Sequence, residues 1–250
     1  MVSTYNWENM KSVPVKSISI VLPTYNEKKN IEILVPEISE YLAKSRADYE
    51  IIIVDDNSPD GTSETAMELS KKNRKIRLVK NTEKKGIGFA LRKGIESAKK
   101  EIILTMDADC SIKPREIGLL LAEIEKGNDF VVGSKYLIGA VYEKGNFPLF
   151  AKAIISEAGN RYISIVSGVP IRDFSLNFRA FRREVAESTK PDDNKNFFLV
   201  QQVIQAHKKG FSIKDVPVSF LERKYGESKT KIWGQSFRFF WGCLAESFLK

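Results

Sequence analysis

Apolar residues are arranged in two ways along this chain. Some form short, unbroken, β-branched runs, and others recur every three or four residues over longer stretches. Ile18-Ser19-Ile20-Val21-Leu22 is of the first kind and is closed by Pro23, which predicts a buried strand. Residues 28–44 are of the second kind, with Ile31, Leu34, Val35, Ile38 and Leu42 on one helical face. The pattern then repeats. Ile51 to Val54 predicts a strand ending at Asp55-Asp56, Thr62 to Lys72 a helix, Ile76 to Val79 a strand and Gly88 to Lys99 a helix. Glu101 to Met106 reads as a strand, 114–125 as a helix and Phe130-Val131-Val132 as a strand. This β-α-β-α order predicts an α/β fold with a mostly parallel central sheet, right-handed crossovers and helices on both faces.

In open parallel sheets ligands bind outside the carboxyl ends of the strands. This chain puts its acids there: Asp55 and Asp56 after the second strand, Asp107 and Asp109 after the fourth, with Pro23-Thr24-Tyr25-Asn26-Glu27 closing the first. Two carboxylates directly behind Ile102-Ile103-Leu104 are costly to desolvate. Either they face one hard cation, since residues i and i+2 of an extended segment share a side, or Asp107 ends the strand and Asp109 caps the helix near Pro114. All-oxygen ligands suit Mg²⁺ or Mn²⁺, which take one or two carboxylates plus substrate phosphates.

Three other segments also have two readings. Asp55 to Thr62 is either a βα turn capped by Ser58 or Asp60, or an acid poised to accept from a base or ribose. Lys84-Lys85-Gly86-Ile87-Gly88-Phe89 is either a phosphate loop that contacts a ligand directly or a helix entry; it lacks the last glycine of a dinucleotide fingerprint, because Leu91 stands there, and reads as the latter. Arg223 to Lys229 sets three cations around Gly226, as a solvated loop or as a clamp over a diphosphate.

The 250-residue chain is long enough to bury its own core. Its single histidine, His207, leaves little for a Ser-His-Asp or poly-His site, and Cys110 and Cys243 lack metal-site spacing and point to a reducing compartment. The polar N-terminus lacks a signal-peptide core, and no segment offers a spanning helix. The net charge of +8 is concentrated late: residues 206–250 hold nine Lys or Arg against four acids, which suits an anionic partner. Ile232 to Leu249 is aromatic-rich but interrupted by Arg238 and Glu246. It reads as a terminal helix that lies in a membrane interface or packs on the domain or a partner.

Pro-Thr-Tyr-Asn-Glu (23–27), Val-Asp-Asp-Asn-Ser-Pro-Asp-Gly-Thr (54–62), Met-Asp-Ala-Asp (106–109), Gly-Ser-Lys-Tyr (133–136), Asp-Phe-Ser-Leu-Asn-Phe-Arg (173–179) and Arg-Lys-Tyr-Gly-Glu-Ser-Lys (223–229) stand in one order. Together they resemble the family 2 glycosyltransferases of GT-A fold, and within them the dolichol-phosphate mannosyltransferases. The resemblance covers roughly residues 16–231. It implies an N-terminal extension at 1–15, a catalytic domain at 16–231 and an amphipathic helix at 232–250.

It also implies roles. Pro23, Tyr25, Glu27 and Asp55 hold the nucleoside of a nucleotide-sugar. Asp107 and Asp109 hold Mg²⁺ or Mn²⁺ on the donor diphosphate, with Ser111 at a third-ligand position. Arg223 and Lys229 close over the donor phosphates. Ser134, Lys135, Asp173, Ser175 and Arg179 line the reaction centre and acceptor phosphate. The implied reaction is inverting transfer of a sugar, mannose from GDP-mannose, to a polyprenyl or dolichyl phosphate. Asp109, Asp173, Arg223 and Lys229 are the catalytic set. The rival readings are a UDP-glucose-dependent glucosyltransferase and a non-turning-over nucleotide-binding scaffold.

Lys135 and Glu157 stand where relatives commonly carry Arg, and Gln201 near a Glu position. Lys152 is the candidate replacement cation on the acceptor side. The expected location is the cytoplasmic face of a membrane, held there peripherally or by a small membrane-spanning partner. No nucleic-acid motif is present.

Overall fold

The computed structural model describes residues 17–45, 47–141, 147–221, 225 and 236–248. The N-terminal extension 1–15 lies outside them. β1 (Ser17–Thr24), α1 (Lys28–Lys44), β2 (Asp48–Asp55), α2 (Thr62–Lys72), β3 (Ile76–Lys80), α3 (Ile87–Ser97) and β4 (Ile102–Met106) follow one another as the hydrophobic pattern predicts. A 3-10 turn (Pro114–Glu116) leads into α4 (Ile117–Glu125), because Pro114 supplies no N–H and starts the helix on a tighter turn. Then come β5 (Phe130–Ser134), α5 (Phe147–Ser167), β6 (Phe178–Arg182), α6 (Arg183–Ser188), α7 (Phe197–Lys208), β7 (Ile213–Pro217) and α8 (Ser236–Phe248).

The seven strands form one sheet in the order β3-β2-β1-β4-β6-β5-β7. All pairings are parallel except those of β6, which lies antiparallel between β4 and β5. Helices on both sides explain why the strands read as continuous apolar runs. Ile18, Ile20 and Leu22 face a core with α1 and α4, while Val21, Ile52, Val54 and Ile103 face a second core with α3 and α7. β1 runs one residue past Pro23. Its registered pairing with β4 ends at Val21, so the proline falls where the strand has already parted from that neighbour.

α8 packs across α5 and α7. Phe239 meets Phe197 edge-on at 5.4 Å, and Tyr162 stacks on Phe240 at 4.8 Å. Cys243 and Glu246 are buried on that side, and Gly242 sits so close to the Phe197 ring that an added Cβ would fall 2.8 Å from it. Trp241 and Phe248 are exposed, and Phe240 remains partly exposed beside Tyr162. Among the described residues no helix is long and apolar enough to cross a membrane.

Candidate active site

Parallel strands end on one edge, so β1, β2 and β4 deliver their following residues to one crevice. Each end carries a non-glycine residue in the left-handed region: Asn26 (φ 57°), Asn57 (φ 59°) and Cys110 (φ 62°). Such conformations are costly and persist where the surrounding structure dictates them.

Asp55 is fully buried and works as the organiser of its own turn. It accepts from Thr24 Oγ1 at 3.2 Å, from Ser58 N at 3.1 Å and Oγ at 2.5 Å, and from Ser63 Oγ at 2.5 Å. Its neighbour Asp56, to which the motifs assign no role, grips the Lys84–Gly86 loop by accepting from Asn81 Nδ2, Lys85 N and Gly86 N at 2.7–3.0 Å. The glycines of that loop are explained by packing. A Cβ on Gly86 would fall 2.5 Å from the Asn194 carbonyl oxygen, and one on Gly88 2.3 Å from that of Asp193.

Along the same edge Lys84 Nζ stands 3.6 Å from the centroid of the Tyr25 ring. Glu27 accepts from Asn30 Nδ2 at 2.6 Å, and that nitrogen also faces the carbonyl of Tyr225 at 3.3 Å. Residues 26–30, Asp60 and Tyr225 line a cleft of about 240 Å³. Tyr225 thus lies at the start of α1. Arg223 and Lys229 themselves lie outside the described residues.

Asp107 is partly exposed and accepts from Asn177 Nδ2 at 2.9 Å. Asp109 is buried and accepts from Ser111 N at 3.0 Å. The residue before the 3-10 turn is Lys113, so Asp109 does not cap the following helix. Ser111 is buried, with its carbonyl accepting from Leu221 N at 2.9 Å. The donors are all oxygen, which fits Mg²⁺ or Mn²⁺. Among the described residues no group of three or more His, Cys, Asp or Glu comes together here.

A second cluster forms beyond β6. Asp173 is fully buried and accepts from Ser175 N and Oγ and from Leu176 N at 2.8–3.2 Å, while Lys135 Nζ stands 3.8 Å from its other oxygen. Lys135 also lies 5.2 Å from the ring centroids of Tyr136 and Phe220. Ser134 is buried and accepts from Tyr136 N, Ser175 is exposed, and Asn160 receives Phe174 N at 2.8 Å.

Arg179, expected beside the acceptor phosphate, is fully buried. Its Nε donates to Leu176 O at 3.0 Å, Nη2 to Phe174 O at 2.6 Å and Nη1 to Leu199 O. It is a brace that acts on the site through its charge. Burial lowers its pKa to about 9 while Asp173 and Asp107 hold it up, so it remains a cation at neutral pH. Glu157 is exposed on α5. Lys152 belongs to the same helix, but its side chain is outside the described set. Gln201 turns away from this cluster to the buried Glu246 of α8 at 3.1 Å.

The motifs assign no role to Asp56, Thr105 or Asn177, although Asp56 and Asn177 lie within the 54–62 and 173–179 segments. Asp56 was visible as the second acid of a strand end, whereas Thr105 and Asn177 meet across 72 positions, and no local pattern marks that contact.

The glycosyl transferase family 2 pattern matches residues 19–189. Polyprenol monophosphomannose synthase of Mycolicibacterium smegmatis is 32% identical over 223 residues, covering 86% of this chain and 82% of that protein. Dolichol-phosphate mannosyltransferase of Pyrococcus furiosus is 35% identical over 217 residues, covering 86% of this chain but only 59% of its own length. Among solved structures, glucosyl-3-phosphoglycerate synthase from Mycobacterium tuberculosis, in complex with Mn²⁺, UDP and phosphoglyceric acid, superposes with a TM-score of 0.71 at 20% identity. That match covers 93% of this chain and 78% of the other, a likeness of fold. The matched pattern spans well over half of the sequence, and the chain belongs to glycosyl transferase family 2.

Proposed function

We propose that this enzyme moves mannose from GDP-mannose to the phosphate of a polyprenyl or dolichyl phosphate, with inversion at the anomeric carbon. One observation carries the reading. The segment 173–177 ties both halves of a reaction centre together, Asp173 with the cation Lys135 at one end and Asn177 with the carboxylate Asp107 at the other. The names of the two curated relatives support the sugar and the acceptor class.

In this reading Asp107 and Asp109, with Ser111 beside them, hold Mg²⁺ or Mn²⁺, which neutralises charge on the departing diphosphate. Pro23, Tyr25, Glu27 and Asp55 shape the nucleoside end, and Arg223 and Lys229 cover the phosphates. Lys135, with Ser134, Ser175 and Lys152, orients the acceptor phosphate, and Asp173 holds Lys135 in place. An acceptor phosphate oxygen attacks the anomeric carbon on the face opposite the leaving diphosphate. The bond from that carbon to the diphosphate oxygen breaks, and GDP leaves with the electron pair. The attacking oxygen is already anionic, so no side chain need take a proton, which agrees with a site built without histidine. The apolar outer side of α8 rests on the cytoplasmic membrane surface where such an acceptor is found.

The test follows radiolabel from GDP-mannose, and in parallel from UDP-glucose, into the organic phase with polyprenyl phosphate, Mn²⁺ or Mg²⁺, and chelator. Transfer from GDP-mannose should need the metal and fall about 100- to 1,000-fold in Asp109→Ala. Transfer from UDP-glucose alone, or transfer indifferent to both chelator and Asp109→Ala, would sink the proposal.

A further inference from the structure

Behind the carboxylate pair stands an amide that the proposed function uses only as a tie between the two halves, with no role toward the cation. Asn177 is 2% exposed, and its Nδ2 donates to Asp107 Oδ1 at 2.9 Å while its Oδ1 accepts from Thr105 Oγ1 at 2.7 Å. Chemistry fixes the direction of this relay. An ionised carboxylate only accepts, so the amide nitrogen must face Asp107, and the amide oxygen then needs a donor, which the threonine hydroxyl supplies. The sheet fixes its place. Thr105 pairs with Arg179 and Met106 with Phe178, so the antiparallel register carries Asn177 to Asp107 one step beyond the strand ends.

The geometry points to Asn177 as a positioning residue for the divalent cation. By holding one oxygen of Asp107, it sets the plane in which that carboxylate meets the metal and the donor diphosphate, and Thr105 holds Asn177 in turn. This rests on the donor-site reading above. A neutral amide suits the task. A Lys or Arg at that distance would orient the carboxylate equally well but would also cancel the charge the cation needs. Hydrogen-bond partners behind metal ligands typically contribute about 10- to 100-fold in metal affinity.

The test measures Mn²⁺ binding to the full chain in the presence of GDP, reading free Mn²⁺ by electron paramagnetic resonance, with no turnover involved. Asn177→Ala should weaken Mn²⁺ about 10- to 100-fold. Thr105→Val leaves the amide in place but unheld and should weaken it about two- to five-fold. GDP affinity without metal should be unchanged in both. A purely structural role would shift the melting temperature while leaving Mn²⁺ affinity of the folded variant intact. Folded Asn177→Ala with Mn²⁺ affinity within about two-fold of wild type overturns the inference. Should Asn177→Ala fail to fold, unchanged Mn²⁺ affinity in Thr105→Val overturns it instead. Asp107→Asn separates the two levels. If that variant loses Mn²⁺ while Asn177→Ala does not, only the relay fails; if it keeps Mn²⁺, the metal reading beneath it fails.

Discussion

The proposed donor half and the proposed acceptor half of this site are built in different ways. The donor half follows β1, β2 and β4 directly, and much of its bonding is local: Asp55 to Ser58, Asp60 to Thr62, Asp109 to Ser111. The acceptor half depends on one antiparallel strand wedged between β4 and β5, and its contacts span long stretches of chain, such as Lys135 to Asp173 and Arg179 to Leu199. A crevice made of strand ends can be assembled turn by turn. A crevice made by an inserted strand exists only once the whole sheet has closed.

The strongest challenge to that contrast is Arg179→Met. Removing this fully buried guanidinium leaves three carbonyls without their donor and Asp173 with Lys135 alone as its counter-charge, which should cost about 3–5 kcal/mol in a urea unfolding experiment. A loss below about 1 kcal/mol would mean that the acceptor half does not hang on this brace.

Lys135→Ala addresses function with less effect on the fold. Losing a charge-assisted contact should raise the KM for polyprenyl phosphate about 10- to 100-fold, while the KM for GDP-mannose stays near its wild-type value. Equal rises in both would dissolve the division into halves.

The smallest expected effect lies at the far edge of the donor half, where Glu50 joins Ser19 Oγ, Lys99 N and Arg77 at 2.6–3.1 Å. Burial pushes this carboxyl up, but the hydrogen bonds and the Arg77 charge outweigh it and leave the pKa below the ordinary 4.5. Its contribution to stability is therefore present above 4.5 and lost as the pH falls through the lower folded value. Glu50→Gln should be less stable by about 1–2 kcal/mol at pH 7, with the gap closing in acid and nucleotide binding unchanged. A gap that persists in acid would show that packing, rather than charge, carries it.

The same contrast explains what could be read in advance. Period and strand-end acids placed β1 to β5, the intervening helices and the Asp107-Asp109 pair, because each depends on neighbours in sequence. β6, β7 and α5 to α7 went unmarked. β6 (Phe-Arg-Ala-Phe-Arg) carries an arginine in its middle that looks like solvent-facing polarity and is in fact fully buried. Asn177 stands inside the 173–179 motif, but its role was not legible there, because its partners Thr105 and Asp107 are set by sheet register rather than spacing.

The seat of α8 has a mechanical consequence. Glu246 is held by Gln201 and Gln205, and its carbonyl by Lys208, so this helix cannot roll about its axis without stranding a buried carboxylate. A helix seated on apolar contacts alone could turn like a log and present any face. This one is keyed, so Phe240, Trp241 and Phe248 project at a fixed heading relative to the strand ends. Any surface they rest on would meet the catalytic edge at a single tilt.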